Sequence, residues 1–267
     1  MKRLFTKLAV ASLALASLAI PPRVVGQTAA SPVTPPPPPP PPFDRPVSWK
    51  LLVPNLIHDQ KHMWSFPARL AQGQSWIPTG AVLGTTAGLI ALDPSAATYF
   101  HGTSTFQGLN GVFAGKATLV GIIAAPVSLY AVGLFRSDSK MKRTALLAAE
   151  AVADSEFVAT VLKDATRRVR PAGIPAGGSY SDSWFESPGS LWRGKGSFPS
   201  GHTIAAFSVA TVIARRYGNH RWVPFAAYGM AALVGFSRLT LEAHFLSDVF
   251  LGGALGYSIS RFAVLRQ

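Results

Sequence analysis

Three polar clusters interrupt a chain that is otherwise rich in Ala, Leu and Gly. The first is Lys163-Asp164-Ala165-Thr166-Arg167-Arg168-Val169-Arg170-Pro171. Lys163 and Arg170 are seven apart, so on a continuing helix they fall within about 20° of one face. Such a pair can hold an anion, or simply complement a helix C-terminus. The second is Pro199-Ser200-Gly201-His202, where a Gly-rich basic loop becomes an apolar helix. A helix start offers free backbone N–H groups and a positive dipole end, which together suit phosphate. Ser200 adds a hydroxyl, Gly201 allows close approach, and His202 can donate a proton to a leaving oxygen. A plain Ser cap beside an incidental His is the bland alternative. The third cluster is Ser237-Arg238, followed by His244 and Asp248. On a helix, His244 and Asp248 share a face. A carboxylate on one imidazole nitrogen fixes the tautomer and leaves the other nitrogen free to attack. A local His–Asp pair with no further role also fits that spacing.

Apolar runs of helix length, with no sustained period-two alternation, predict an all-α bundle. We expect a short amphipathic stretch near 61–71. Main helices are expected at about 78–92, 117–135, 141–168, 200–217, 221–238 and 243–264. Antiparallel neighbours would bring the end of 141–168, the start of 200–217, the end of 221–238 and the start of 243–264 to one end of the bundle. All three clusters then meet. Together they supply cations, a helix N-terminus, one His with a carboxylate and one without. A phosphoryl group in transfer, with charge on three equatorial oxygens and two in-line apical atoms, needs that inventory.

Lys-x6-Arg-Pro, Pro-Ser-Gly-His and Ser-Arg-x5-His-x3-Asp, in this order over residues 163–248, resemble the signature of the type 2 phosphatidic acid phosphatase / vanadium haloperoxidase superfamily. The resemblance implies a helical-bundle phosphatase that needs no metal and no cofactor. It implies His244 as nucleophile, Asp248 as its orienting partner and His202 as general acid and base. Lys163, Arg170, Ser200, Gly201 and Arg238 would bind phosphate. The implied substrates are phosphate esters, with lipid phosphates or diphosphates favoured and non-specific acid phosphatase activity as the alternative. Vanadium-dependent oxidation and non-catalytic headgroup binding are further readings. The intact His–Asp pair argues against mere binding, which needs only the cations.

The rest of the chain frames this site. Residues 1–30 read as an export signal: Lys2, Arg3 and Lys7 precede an uncharged run over 8–20, too short for a comfortable span. An uncleaved N-terminal anchor is the other reading. Residues 31–42 read as a spacer whose eight prolines at 35–42 alone extend about 25 Å at ~3.1 Å per residue. The helical domain is then 43–267. With no cysteine, disulfides and thiolate chemistry are excluded. A net charge of +13 with only 14% charged and 48% hydrophobic residues does not describe a nucleic-acid coat; it suits membrane proximity or anion handling.

Membrane association is expected, because residues 117–135 carry no charge. Arg136, Lys140, Lys142, Arg143, Arg215, Arg216 and Arg221 gather at the end away from the site, which places the site outside the cytoplasm. Glu150, Asp154 and Glu156 oppose burial of 141–168 in lipid. Six spanning helices after a cleaved signal would put the site on the wrong side; the count comes right if 78–92 does not span, or if nothing does. His58 and His62 have metal-ligand spacing without a third ligand nearby, and read as an exposed turn. Glu242 is expected to face away on a helix, solvated. Trp184, Phe185 and Trp192 would contact lipid, wall the site or anchor their loop.

Overall fold

The computed structural model describes residues 45–187 and 194–266. The expected signal, the proline spacer and Trp192 lie outside the described residues. Helix α1 spans Leu52–Trp64, α2 Phe66–Ala71, α3 Trp76–Gly102, α4 Gln107–Val112 and α5 Gly115–Phe135. Helix α6 follows at Ser139–Thr166, then α7 at Gly201–Arg216, α8 at Trp222–Thr240 and α9 at Leu246–Ile259, which runs into a π-helical turn at Ser260–Val264. No strand occurs among the described residues, so the fold is all-α.

Helix α7 is the centre. It packs against α6, α8 and α9, while α5 packs on α6 and α3 on α9. Its core side chains, including Ala205, Val209 and Val212, meet Leu147 and Ala151 of α6, Val234 of α8 and Ile259 at the end of α9. Small residues let α9 come close. A Cβ on Gly252 would lie 2.8 Å from the Ser200 carbonyl oxygen, and one on Gly256 would lie 2.3 Å from that of Ile204. Both are closer than real side chains tolerate, so glycine is required there for α9 to lie against α7. That seam sets His244 and Asp248 beside Ser200 and His202.

Several boundaries differ from expectation, and each difference has a local cause. Helix α3 runs past the expected end at 92, through Pro94, to Gly102. A proline inside a helix costs a hydrogen bond and a steric clash. Here Asp93 is anchored by Arg168 and Ser247, which holds the helix in place across that break. Helix α6 ends at Thr166 rather than near 168, and Arg167 adopts φ 44° in the left-handed region. The loop that follows captures the released backbone: Val169 N–H donates to Ser183, Ser197 N–H to Arg168, and Phe185 N–H to Thr166. Lys163 and Arg170 therefore do not share a continuing helix. Helix α9 starts at Leu246, not 243. Ala243 and His244 N–H both donate to the Arg238 carbonyl, closing a turn in which Glu242 has φ 52°.

Candidate active site

His244 sits in the turn just before α9, only 3% exposed. Its Nδ1 lies 2.8 Å from the Ser197 backbone carbonyl oxygen, which can only accept. Nδ1 therefore carries the proton, and Nε2 keeps the lone pair. Asp248 Oδ2 is 3.4 Å from the same Nδ1. The expected His–Asp pair is present, but not as two side chains on one helical face. Asp248 is in the first turn of α9 and reaches back to accept from Phe245 N–H at 2.9 Å. The Ser197 hydroxyl also donates to Oδ2. Burial pushes the Asp248 carboxyl up, but its bond to His244, the charge of Arg168 and the Ser197 hydroxyl hold it below its usual range. Burial lowers His244 from its ordinary value; Asp248 pulls it back up, and Arg170 and Lys163 push it down.

Ser200 occupies the N-cap position of α7, yet its side chain caps no backbone N–H. Its hydroxyl accepts from Thr203 at 2.9 Å, which leaves its own proton to give elsewhere. The Ser200 N–H donates to the Asp248 carbonyl at 3.0 Å, stitching the starts of α7 and α9 together. Gly201 gives the Lys163 side chain room: a Cβ there would lie 2.8 Å from Lys163 Nζ, which would have to shift. The Lys163 ammonium thus stands directly on the N-terminal turn of α7. It is 9% exposed and has no hydrogen-bond acceptor among the described residues. Its burial lowers its pKa, against the pull of Glu156.

His202, in the first turn of α7, has its Nε2 3.1 Å from the Gly115 carbonyl oxygen. Burial, then Arg238, lower its pKa to about 4, with His244 and Lys163 adding to the effect. Arg238 closes that side. Its Nη2 donates to the Phe113 carbonyl and, at 3.0 Å, to Thr118; Nε and Nη2 also reach the Ser237 hydroxyl at 3.2 and 2.9 Å. Only Nη1 is left for a further acceptor among the described residues. Arg170 lies in extended backbone just before Pro171 and is exposed. Its charge reaches both Lys163 and His244. All the predicted site residues therefore gather at one end of the bundle, though Arg238 is tied to the start of α5 and Arg170 stands at the rim.

Sequence reasoning missed five polar residues here. Arg168, 1% exposed, bonds Asp248 and Asp93. Ser197 and Ser247 complete that network. The signal for Asp93 was available: it is the only Asp, Glu, Lys or Arg within Trp76–Gly102. Glu156, read only as an obstacle to membrane burial, places its carboxylate oxygens 3.3 and 3.4 Å from where a Gly201 Cβ would be. Glu242 is not on a helix but in the turn before α9, partly exposed, with its Oε2 2.8 Å from His101 Nδ1.

Beside His244 opens a narrow cleft between α3, α8 and α9. Ala97, Phe100, Leu239 and Leu246 make it apolar, with Glu242 in its wall. Trp184 packs on Arg168 at 4.3 Å and edge-on to Phe198 at 5.1 Å, so it anchors the loop behind the site. Phe185 is exposed. His62 bonds Arg69, and no group of three or more potential ligands gathers for a metal among the described residues.

A family model described as the PAP2 superfamily matches residues 144–267. Over 97 residues, the chain is 34% identical to the lipid A 1-phosphatase of Porphyromonas gingivalis. That alignment covers 36% of this chain and 21% of the relative, so the chain matches about a fifth of that protein's length. Among solved structures, a transmembrane PAP2 type phosphatidylglycerolphosphate phosphatase from Bacillus subtilis is 22% identical, with a TM-score of 0.39 over 78% of this chain and 94% of that one.

Proposed function

We propose, for a chain whose residues 144–267 match the PAP2 superfamily model, that it is a phosphatase acting on phosphate esters through a phosphohistidine on His244. The observation that carries this reading is the His244 tautomer. With Nδ1–H given to the Ser197 carbonyl, the Nε2 lone pair is free to attack phosphorus. As the Nε2–P bond forms and the ester P–O bond breaks, the leaving oxygen takes a proton from His202. A water then attacks the phosphohistidine. His202 accepts its proton, the N–P bond breaks, and inorganic phosphate departs. The Lys163 ammonium, the α7 amides with the Ser200 hydroxyl, Arg238 Nη1 and Arg170 supply positive charge for the equatorial oxygens.

Lipid phosphates are the favoured substrates. Two features support that choice: the name of the Porphyromonas relative and the apolar exterior. Helix α5 has a mean hydropathy of 2.0 in its most apolar stretch, of which only 17% is buried within the protein. Phe135 and Phe225 are 92% and 81% exposed. We place α5 in a bilayer, with the basic end around Arg136 and Arg221 on the cytoplasmic side and the site on the other. The export signal and proline spacer would then precede a single helical domain.

The test is phosphate release in EDTA from a lipid phosphate and from a soluble aryl phosphate, for wild type and His244→Ala. Release that survives EDTA, prefers the lipid and vanishes in the variant is expected. Equal release from both substrates would replace the lipid reading with a general phosphatase. Full activity in the variant would overturn the histidine mechanism.

A further inference from the structure

We propose that Asp93 and Arg168 are a buried positioning pair for the nucleophile, with Arg168 fixing the Asp248 carboxylate and Asp93 offsetting the charge of Arg168. This rests on the phosphatase reading above. Every nitrogen of the Arg168 guanidinium is engaged, with four of its five N–H donors used. Nη1 donates to Asp248 Oδ1 at 2.7 Å and to Ser247 Oγ at 2.8 Å; Nη2 donates to Asp93 Oδ2 at 2.7 Å; Nε donates to Ser183 Oγ at 3.1 Å. Its Cζ lies 3.8 Å from the ring centre of Phe245 and 4.3 Å from that of Trp184. The fork has no freedom to turn toward a substrate phosphate.

That geometry divides the two Asp248 oxygens. Oδ1 belongs to Arg168. Oδ2 faces His244, the Ser197 hydroxyl and the Phe245 N–H. An Asp free to rotate would present either oxygen to His244. Arg168 alone, however, would neutralise Asp248 just where a negative charge is useful. When Nε2 bonds phosphorus while Nδ1 keeps its proton, the His244 ring becomes a cation. Asp93 changes the sum: two carboxylates around one guanidinium leave a net charge of −1 beside that ring. Asp93 also accepts from the Ser247 N–H at 3.0 Å and the Ser247 hydroxyl at 2.5 Å, so α3 is clamped onto the first turn of α9. The N-terminal half of the chain, which carries none of the three motifs, thereby reaches the nucleophile through one buried ion pair.

A purely structural clamp would predict lost stability alone. The experiment uses the full chain and compares wild type, Asp93→Asn and Arg168→Lys. It reads kcat and KM for the better of the two substrates, thermal midpoint, and the titration of the His244 ring by NMR without substrate. The groups acting on that ring are Asp248 on α9, Lys163 on α6, Arg170 in the following loop and His202 on α7. Loss of the Asp93 charge is expected to move the His244 titration to lower pH. It should also cut kcat by roughly 10-fold, the lower end of what losing a supporting partner costs a functional centre, because Asp93 acts through Arg168 and Asp248, with KM within about threefold. Arg168→Lys keeps the charge but loses the fork; it should lower kcat while leaving KM unchanged. Unchanged kcat and unchanged His244 titration in Asp93→Asn, with only the midpoint lowered, would overturn the pair as a positioning device. A wild type inactive on both substrates would count against the phosphatase reading, while the His244 titration would still decide the coupling.

Discussion

The Nδ1 of His244 lies 2.8 Å from the Ser197 carbonyl oxygen and 3.4 Å from Asp248 Oδ2, so a backbone group, more than the carboxylate, sets which ring nitrogen is protonated. A carbonyl cannot donate, so the ring has one free nitrogen, Nε2. The phosphoenzyme trapped by rapid quenching should therefore carry its phosphate on His244 Nε2. Mass spectrometry locates the residue, and 31P NMR of the denatured adduct distinguishes the two nitrogens. An Nδ1 adduct, or phosphate on Ser197 or Ser200, would contradict the assigned tautomer.

How much of this was legible in the chain follows from what each residue depends on. Lys163, Ser200, Gly201, His202, Arg238, His244 and Asp248 lie in short motifs, and antiparallel helices alone bring those motifs together. The end of α6 was not legible, because it is set by bonds from Ser183, Phe185 and Ser197 across a loop. The partnership of Asp93 with Arg168 spans 75 positions and has no local pattern. A lone acid in an apolar helix announces that a buried partner exists, not which one it is. The start of α9 was misplaced because the spacing of His244 and Asp248 suits a helical face and a first-turn cap equally well.

His202 should give the reaction an acid-shifted profile. Its folded pKa, about 4, lies below the ordinary 6.5, so the free protein holds it protonated only in acid. As general acid, it needs that proton when the ester binds. The basic limb of kcat/KM should therefore begin at low pH, while a bound phosphate dianion, which favours the imidazolium, moves the basic limb of kcat upward. Rate profiles on one substrate from pH 4 to 9 test this. A kcat limb at or below that of kcat/KM would remove His202 from the acid role.

Glu156 should compete with phosphate for the cradle. Its carboxylate stands at Gly201 beside Lys163, and burial raises its pKa while Lys163 lowers it. As pH falls through that raised value the carboxyl becomes neutral and the cradle gains one positive charge. Glu156→Gln imitates the neutral form. It should bind inorganic phosphate about 10-fold more tightly at neutral pH, since unit charges this close interact by more than about 1 kcal/mol at an effective dielectric near 20. Inhibition by phosphate, compared between the two proteins at one pH so that its own ionisation cancels, measures the effect. Equal or weaker inhibition in the variant would instead make Glu156 a necessary partner of Lys163.

Arg45 should govern stability without governing chemistry. Its guanidinium lies 2.8 Å from Asp59 Oδ1 and 2.5 Å from Glu150 Oε2, and both carboxylates are almost wholly buried. Asn55 adds a bond to Glu150 at 2.8 Å and Gln60 one to Asp154 at 2.8 Å, so α1 is fastened to α6 with Arg45 as the cation between Asp59 and Glu150. Arg45→Met keeps much of the apolar stem, leaves buried Glu150 without its cation and leaves Asp59 with only Arg266, 4.0 Å away. Removing one partner of a buried ion pair costs about 3–5 kcal/mol. The variant should unfold at a clearly lower temperature and be cut first near α1 by added protease. Well below its midpoint, KM and kcat should stay near wild type, because none of the three motifs touches Arg45. A large change in KM with an unchanged midpoint would mean that the α1–α6 contact acts on the site itself.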